Sequence, residues 1–131
     1  MTVADKRILI VDDDVALRSL MRRQLEIMGY AVTEADEATD ITELLDREHF
    51  DLVISDVVMG SRGGIHVARD VRSAHPKVPI IFVTGILSVD SGPLLDVARE
   101  LGVSRILSKP YETESLLDAV AAAFESPPNR L

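Results

Sequence analysis

No cysteine occurs in the 131-residue chain. That absence excludes disulfides, thiolate metal sites and thiol nucleophiles, and it suits a reducing compartment. Long apolar runs are missing too. Runs such as residues 8–11 and 78–83 are strand-sized and far short of a bilayer span, and the opening MTVADKR has no apolar secretory core. Positive charge is scarce: 14 basic residues face 22 acidic ones, a net charge of −8. A chain gripping a phosphate backbone needs clustered Lys and Arg, so direct nucleic-acid binding is disfavoured, as is a membrane role. Internal repeats, linkers and low-complexity segments are absent as well. What remains is an apolar content of 47%, enough for one sizeable core in a single cytoplasmic domain.

Five β-rich runs alternate with five helical patterns, the signature of a parallel sheet covered by helices on both faces. RILIV (7–11) opens the series. Leu17, Leu20, Met21, Leu25 and Met28 then recur at helical spacing and stop at Gly29. YAVTEA (30–35) alternates like an edge strand, and Ile41, Leu44 and Leu45 mark a second helix ending near Glu48. DLVIS (51–55) is continuously apolar and belongs at the sheet centre. A third helix follows Gly63-Gly64, using Ile65, Ala68 and Val71, and must stop before His75-Pro76. VPIIFVT (78–84) is the fourth strand, with Pro79 tolerable at its start. Asp90 or Ser91 caps a fourth helix that carries Pro93 in its first turn and ends at Gly102. SRILS (104–108) and a helix over 112–124 close the domain, and a polar, proline-rich tail over 125–131 is expected to be flexible. The whole reads as a doubly wound α/β fold of strand order 2-1-3-4-5 with five flanking helices, flavodoxin-like in topology, its domain spanning residues 1–124.

In open sheets of this kind ligands sit beyond the carboxyl ends of the strands. Strand one delivers Asp12 and Asp13 there, strand three Asp56, strand four Thr84 and strand five Lys109, whereas strand two offers nothing comparable. Gathered carboxylates repel unless a cation is supplied. Mg2+ answers the need, since it takes oxygen ligands, one or two of them carboxylates, and keeps several waters. Asp13 and Asp56 can bind it directly and Asp12 through a water, while Asp14 begins the following helix. With the ion present Asp56 stays ionised and can attack a phosphoryl group as a nucleophile. Lys109 and Thr84 are placed to offset charge on the phosphoryl oxygens.

These pieces resemble a response-regulator receiver domain of two-component signalling, in the manner of single-domain chemotaxis regulators. The likeness runs from Arg7 to Phe124 and is carried by ILIVDDD, DLVISDVVM with Gly64 downstream, IIFVTG and SKPY. It implies phosphotransfer to Asp56 from a phosphohistidine on a sensor histidine kinase or a histidine phosphotransfer protein. Output would pass by contact to a downstream protein target. It further implies the backbone carbonyl of Val58 as a metal ligand, a cis bond at Lys109-Pro110, and a switch built on Thr84 and the residue at position 106. A receiver of this kind is not a conventional enzyme; it catalyses its own aspartyl phosphorylation and slow dephosphorylation. A free-standing receiver and one cut from a larger regulator fit the chain equally.

Three departures from the family pattern matter. Gly60 replaces the usual proline after Met59, which frees the loop backbone. Ile106 stands where an aromatic is usual and cannot perform its ring flip. Val58 and Ile86, beside the path of the hydrolytic water in receivers, are apolar, so the phosphorylated form is expected to be long-lived. Two rival classes share parts of the pattern. A flavodoxin-like cofactor binder would want Gly, Ser or Thr donors after strand one, where this chain has acids. An aspartate-nucleophile phosphatase would usually place a second acid two residues beyond Asp56, at Val58. Taken singly, His49, His66 and His75, the Arg18–Arg22–Arg23 cluster and the methionines read as surface, solvated-face and core residues respectively.

Overall fold

The computed structural model describes residues 6–36, 39–57, 63–85 and 92–125. The strands are β1 (Arg7–Val11), β2 (Ala31–Ala35), β3 (Leu52–Asp56), β4 (Ile80–Thr84) and β5 (Arg105–Ser108). The helices are α1 (Val15–Ile27), α2 (Ile41–Arg47), α3 (Gly63–Ala74), α4 (Gly92–Glu100) and α5 (Thr113–Glu125). All strand pairs are parallel, in the order β2-β1-β3-β4-β5. Among the described residues no helix is long and apolar enough to cross a membrane.

Alternation along the central strands builds two cores. Ile8, Ile10, Leu52, Ile54, Ile81 and Val83 pack with α1 and α5. Leu9, Val11, Val53, Ile80 and Phe82 pack on the other face with α2, α3 and α4. Both faces being covered, β3 and β4 are buried along their whole length, and burying each such aliphatic or aromatic side chain contributes about 1.5–3 kcal/mol. Gly29 (φ 97°) and Gly102 (φ 67°) end α1 and α4 in the left-handed region that favours glycine.

Several boundaries differ from the sequence expectation for simple reasons. β4 begins at Ile80, not Val78, since Pro79 has no N–H to give the ladder; its carbonyl accepts from Val53 N–H at 3.1 Å. β3 continues one residue further, through Asp56, which still pairs with Val83. In α1 only Met21 and Leu25 are buried; Leu20 and Met28, expected in the apolar stripe, are about half exposed. Leu20 lies to one side of the row 17–21–25, whereas Met28 continues that row but is the C-cap beyond the last helical residue, so it is not the core methionine that composition implied. Glu125, expected to begin the tail, is instead the last residue of α5; residues 126–131 and the caps expected at Asp90 or Ser91 lie outside the described residues.

Candidate functional site: an acidic rim at the carboxyl ends of the strands

Each strand exit supplies its residue through local structure. Asp12 follows β1; its N–H donates to Ala35 O on β2 (3.1 Å), and its Oδ1 accepts from the Asp14 N–H at 2.9 Å. Asp14 is the N-cap of α1, accepting from Leu17 N–H at 3.1 Å. Asp56 ends β3, and Val57 N–H is tied to Val83 O on β4 (2.9 Å). Gly64, at the start of α3, donates to Val57 O at 2.8 Å. A Cβ on Gly64 would lie 1.7 Å from Asp56 O, so only glycine lets the helix come this close. Thr84 ends β4, its carbonyl accepting from Lys109 N–H at 2.8 Å. The Lys109–Pro110 bond is cis.

Asp12, Asp56, Thr84 and Lys109 thus share one rim. Asp12 (2% exposed), Asp56 (7%) and Thr84 (1%) are the buried polar residues here, with Ser55. Lys109 Nζ donates to Asp56 Oδ2 at 2.8 Å and stands 3.6 Å from Asp12 Oδ2. Burial alone would lower the lysine pKa, but the Asp56 hydrogen bond and the charge of Asp12 outweigh it and hold the ammonium above its ordinary value. The Asp12 pKa is raised as well, which for a carboxyl disfavours the charged form. Burial raises it most, the Asp14 N–H opposes, and Asp56 raises it further. The Tyr111 phenol is pushed up to about 12 by burial and by the charge of Asp12. Its buried hydroxyl has no hydrogen-bond partner among the described residues.

Asp13 is exposed, and among the described residues no three acidic or histidine side chains converge to cage an ion. Val58, with Met59, Gly60 and Ile86, lies outside the described residues. Ile106 is half-buried on β5 against the α2–α3–α4 core. The donor set nonetheless fits a hard divalent ion that needs few protein ligands. A buried carboxyl resists ionisation beside a second carboxylate, and added positive charge at that place relieves it.

Sequence reasoning missed two features. It assigned no site residue to β2 and treated Arg18 and Arg22 as a solvated face. In the structure Glu34 on β2 binds both, Arg18 Nε at 2.8 Å and Arg22 Nη1 at 3.0 Å, and Arg18 Nη1 donates to the Asp12 carbonyl. The alternation of β2 was the available signal, since Glu34 shares the parity of buried Val32 and so the α1 side of the sheet. Arg72 is the second. Its guanidinium donates to the carbonyls of Leu101 (2.7 Å), Val78 (2.7 Å) and Pro76 (2.8 Å), joining the ends of α3 and α4 below the sheet. The histidines behave as expected: His49 and His66 pair with Asp51 and Asp70 near the surface, and His75 meets Leu45 O.

The fold and this rim define a parallel α/β phosphoacceptor architecture, and comparison with known proteins agrees. The family model for the response regulator receiver domain matches residues 8–121, and the chain belongs to that family. The response regulator receiver protein CpdR of Brucella abortus is 35% identical over 115 residues, covering 88% of this chain and 93% of that protein. VirG of Agrobacterium tumefaciens is 32% identical across 95% of this chain, which spans 45% of VirG. Among solved structures, chemotaxis protein CheY4 of Vibrio cholerae superposes with a TM-score of 0.81 at 27% identity, covering 90% of this chain and 98% of that one. A receiver domain from Pseudomonas fluorescens Pf-5 gives 0.81 at 28% identity, covering 92% and 94%. Receiver domains are phosphoacceptors of two-component signalling rather than conventional enzymes, and they work with histidine kinases and downstream effectors. The flavin-binder and phosphatase readings give way to this one.

Proposed function

We propose that Asp56 is the phosphoacceptor and that Asp12, Asp13, Thr84 and Lys109 serve it. The observation that carries the reading is the pairing of a buried Asp56 carboxylate with Lys109 Nζ at 2.8 Å, with Asp12 beside them. One Asp56 oxygen attacks the phosphorus of a phosphohistidine; the O–P bond forms, the P–N bond breaks, and the imidazole leaves with a proton. Lys109 then exchanges a carboxylate for a phosphoryl oxygen as its partner, and the Thr84 hydroxyl donates to another. Asp13, Asp56 and the Val58 carbonyl would hold Mg2+ directly and Asp12 through a coordinated water, and the bound ion would supply positive charge that keeps the acids ionised and offsets the phosphoryl oxygens.

The donor in this reading is a sensor histidine kinase or histidine phosphotransfer protein in the cytoplasm, and the output is contact with a downstream protein. The receiver unit is taken as residues 1–124. Thr84 and Ile106 carry the switch, by a movement other than a ring flip. Hydrolysis of the aspartyl phosphate is slow because Val58 and Ile86 give an attacking water no polar hold. Intact-mass measurement after incubation with Mg2+ and acetyl phosphate tests the reading. One phosphate adduct is expected on the wild type and none on Asp56→Asn; adducts on both, or on neither, overturn it.

A further inference from the structure

Asp12 is held on every side. Its N–H goes to Ala35 O, its Oδ1 receives the Asp14 N–H, and its carbonyl receives Arg18 Nη1. The last of these comes from a side chain that is itself fixed. Arg18 Nε donates to Glu34 Oε1 at 2.8 Å, and the other Glu34 oxygen is taken by Arg22 Nη1 at 3.0 Å. Arg22 Nε in turn meets Glu26 at 3.2 Å. Arg18 and Glu34 are largely covered, with side chains 14% and 21% exposed. Charge-assisted bonds of this kind are stronger and more directional than neutral ones. The two arginines are matched by two glutamates, so the network carries no net charge. What it supplies is geometry.

We propose that Arg18, oriented by Glu34, is a positioning residue for the phosphoaccepting rim: it anchors the Asp12–Asp13 peptide so that both carboxyls face the place where Mg2+ binds. The inference rests on the reading of the rim given above. β2 thereby takes part in the site at one remove, Ala35 holding the amide of Asp12 and Glu34 steering the donor to its carbonyl. Without the guanidinium, the Asp12 carbonyl loses this charged donor, and the peptide that leads to Asp13 is held less firmly. Partners one step removed from a metal commonly change its affinity about 10–100-fold when lost.

The test is a Mg2+ titration of the full chain followed by backbone amide resonances, with thermal unfolding recorded without metal. Arg18→Met is expected to weaken Mg2+ binding about tenfold and Glu34→Gln about threefold. Arg23→Met, an exposed arginine on the same helix, is expected to leave it unchanged. A purely structural ion-pair network would lower the unfolding temperature without moving the Mg2+ midpoint. Folded Arg18→Met that binds Mg2+ within about twofold of wild type overturns the proposal. Should that variant not fold, Glu34→Gln indistinguishable from wild type overturns it equally. Wild type that binds no Mg2+ overturns the site reading itself, and this inference with it.

Discussion

Gly64→Ala places a methyl group where the backbone leaves no room, and the consequence can be worked from distances. The new Cβ would stand 1.7 Å from Asp56 O, 2.5 Å from Asp56 C and 2.8 Å from Val57 Cα. Real Cβ contacts essentially never fall under 3.0 Å, so the closest separation must open by about 1.3 Å. The obstacle is main chain, which cannot rotate away as a side chain tip would. If α3 retreats, the Gly64–Val57 hydrogen bond is weakened or lost, at roughly 1 kcal/mol, and the packing of Val67, Ala68 and Val71 opens. Overpacking of this sort costs about 1–3 kcal/mol besides. A total near 3 kcal/mol is expected, read as a lower urea midpoint at unchanged slope. If the Asp56 peptide yields instead, the carboxylate moves by about 1 Å relative to Lys109 and Asp12, enough to slow labelling by acetyl phosphate roughly 100-fold. Gly64→Ala with the wild-type urea midpoint and the wild-type labelling rate would refute the reasoning outright. Lost stability with full labelling would show that the helix, and not the acceptor, absorbs the clash.

Further expectations concern the rim and the base of the sheet. Asp12 titrates above the ordinary aspartate range when folded, so between the two values the native state holds a proton the unfolded chain has released. Stability therefore falls as pH rises through that window, from about pH 4 upward, and stays lower at neutral pH. Asp12→Asn should accordingly raise the metal-free Tm at pH 7 by roughly 3 °C or more and flatten this pH dependence; a lower Tm in EDTA would contradict it. Arg72→Met leaves the carbonyls of Leu101, Pro76 and Val78 without their donor and should cost about 3 kcal/mol in urea unfolding, whereas a loss below about 1 kcal/mol would deny the staple its role. Phosphorylated wild type should persist well beyond seconds, with Val58→Asn decaying about tenfold faster because an amide can orient water; decay within seconds, or no difference between the two, would dismiss the apolar-shield argument.

The elements that sequence reasoning read correctly are those whose signals are local. Continuous apolar runs at β3 and β4, glycine stops at Gly29 and Gly102, and an aspartate before α1 each declare themselves within a few residues. The rim was legible for the same reason, since a topological rule carries each strand exit to one edge without any knowledge of side-chain packing. What escaped was set by tertiary contact. Leu20 is apolar and helically spaced, yet the sheet covers only the row through Met21 and Leu25, and Met28, on that row, sits past the last helical residue. Arg18 and Arg72 look like solvated charges until Glu34, 16 residues away, and Leu101, 29 residues away, are brought beside them.

The central claim is that the carboxylate at position 56 accepts the phosphoryl group covalently. Borohydride trapping tests it most directly, because the reagent reduces an acyl phosphate to an alcohol and so marks the esterified carboxyl in the peptide map. After Mg2+ and acetyl phosphate treatment, conversion to homoserine at residue 56 alone is the predicted result. A mark on Asp12 or Asp13 in place of Asp56, or no mark on a chain that has taken up phosphate, would contradict the account.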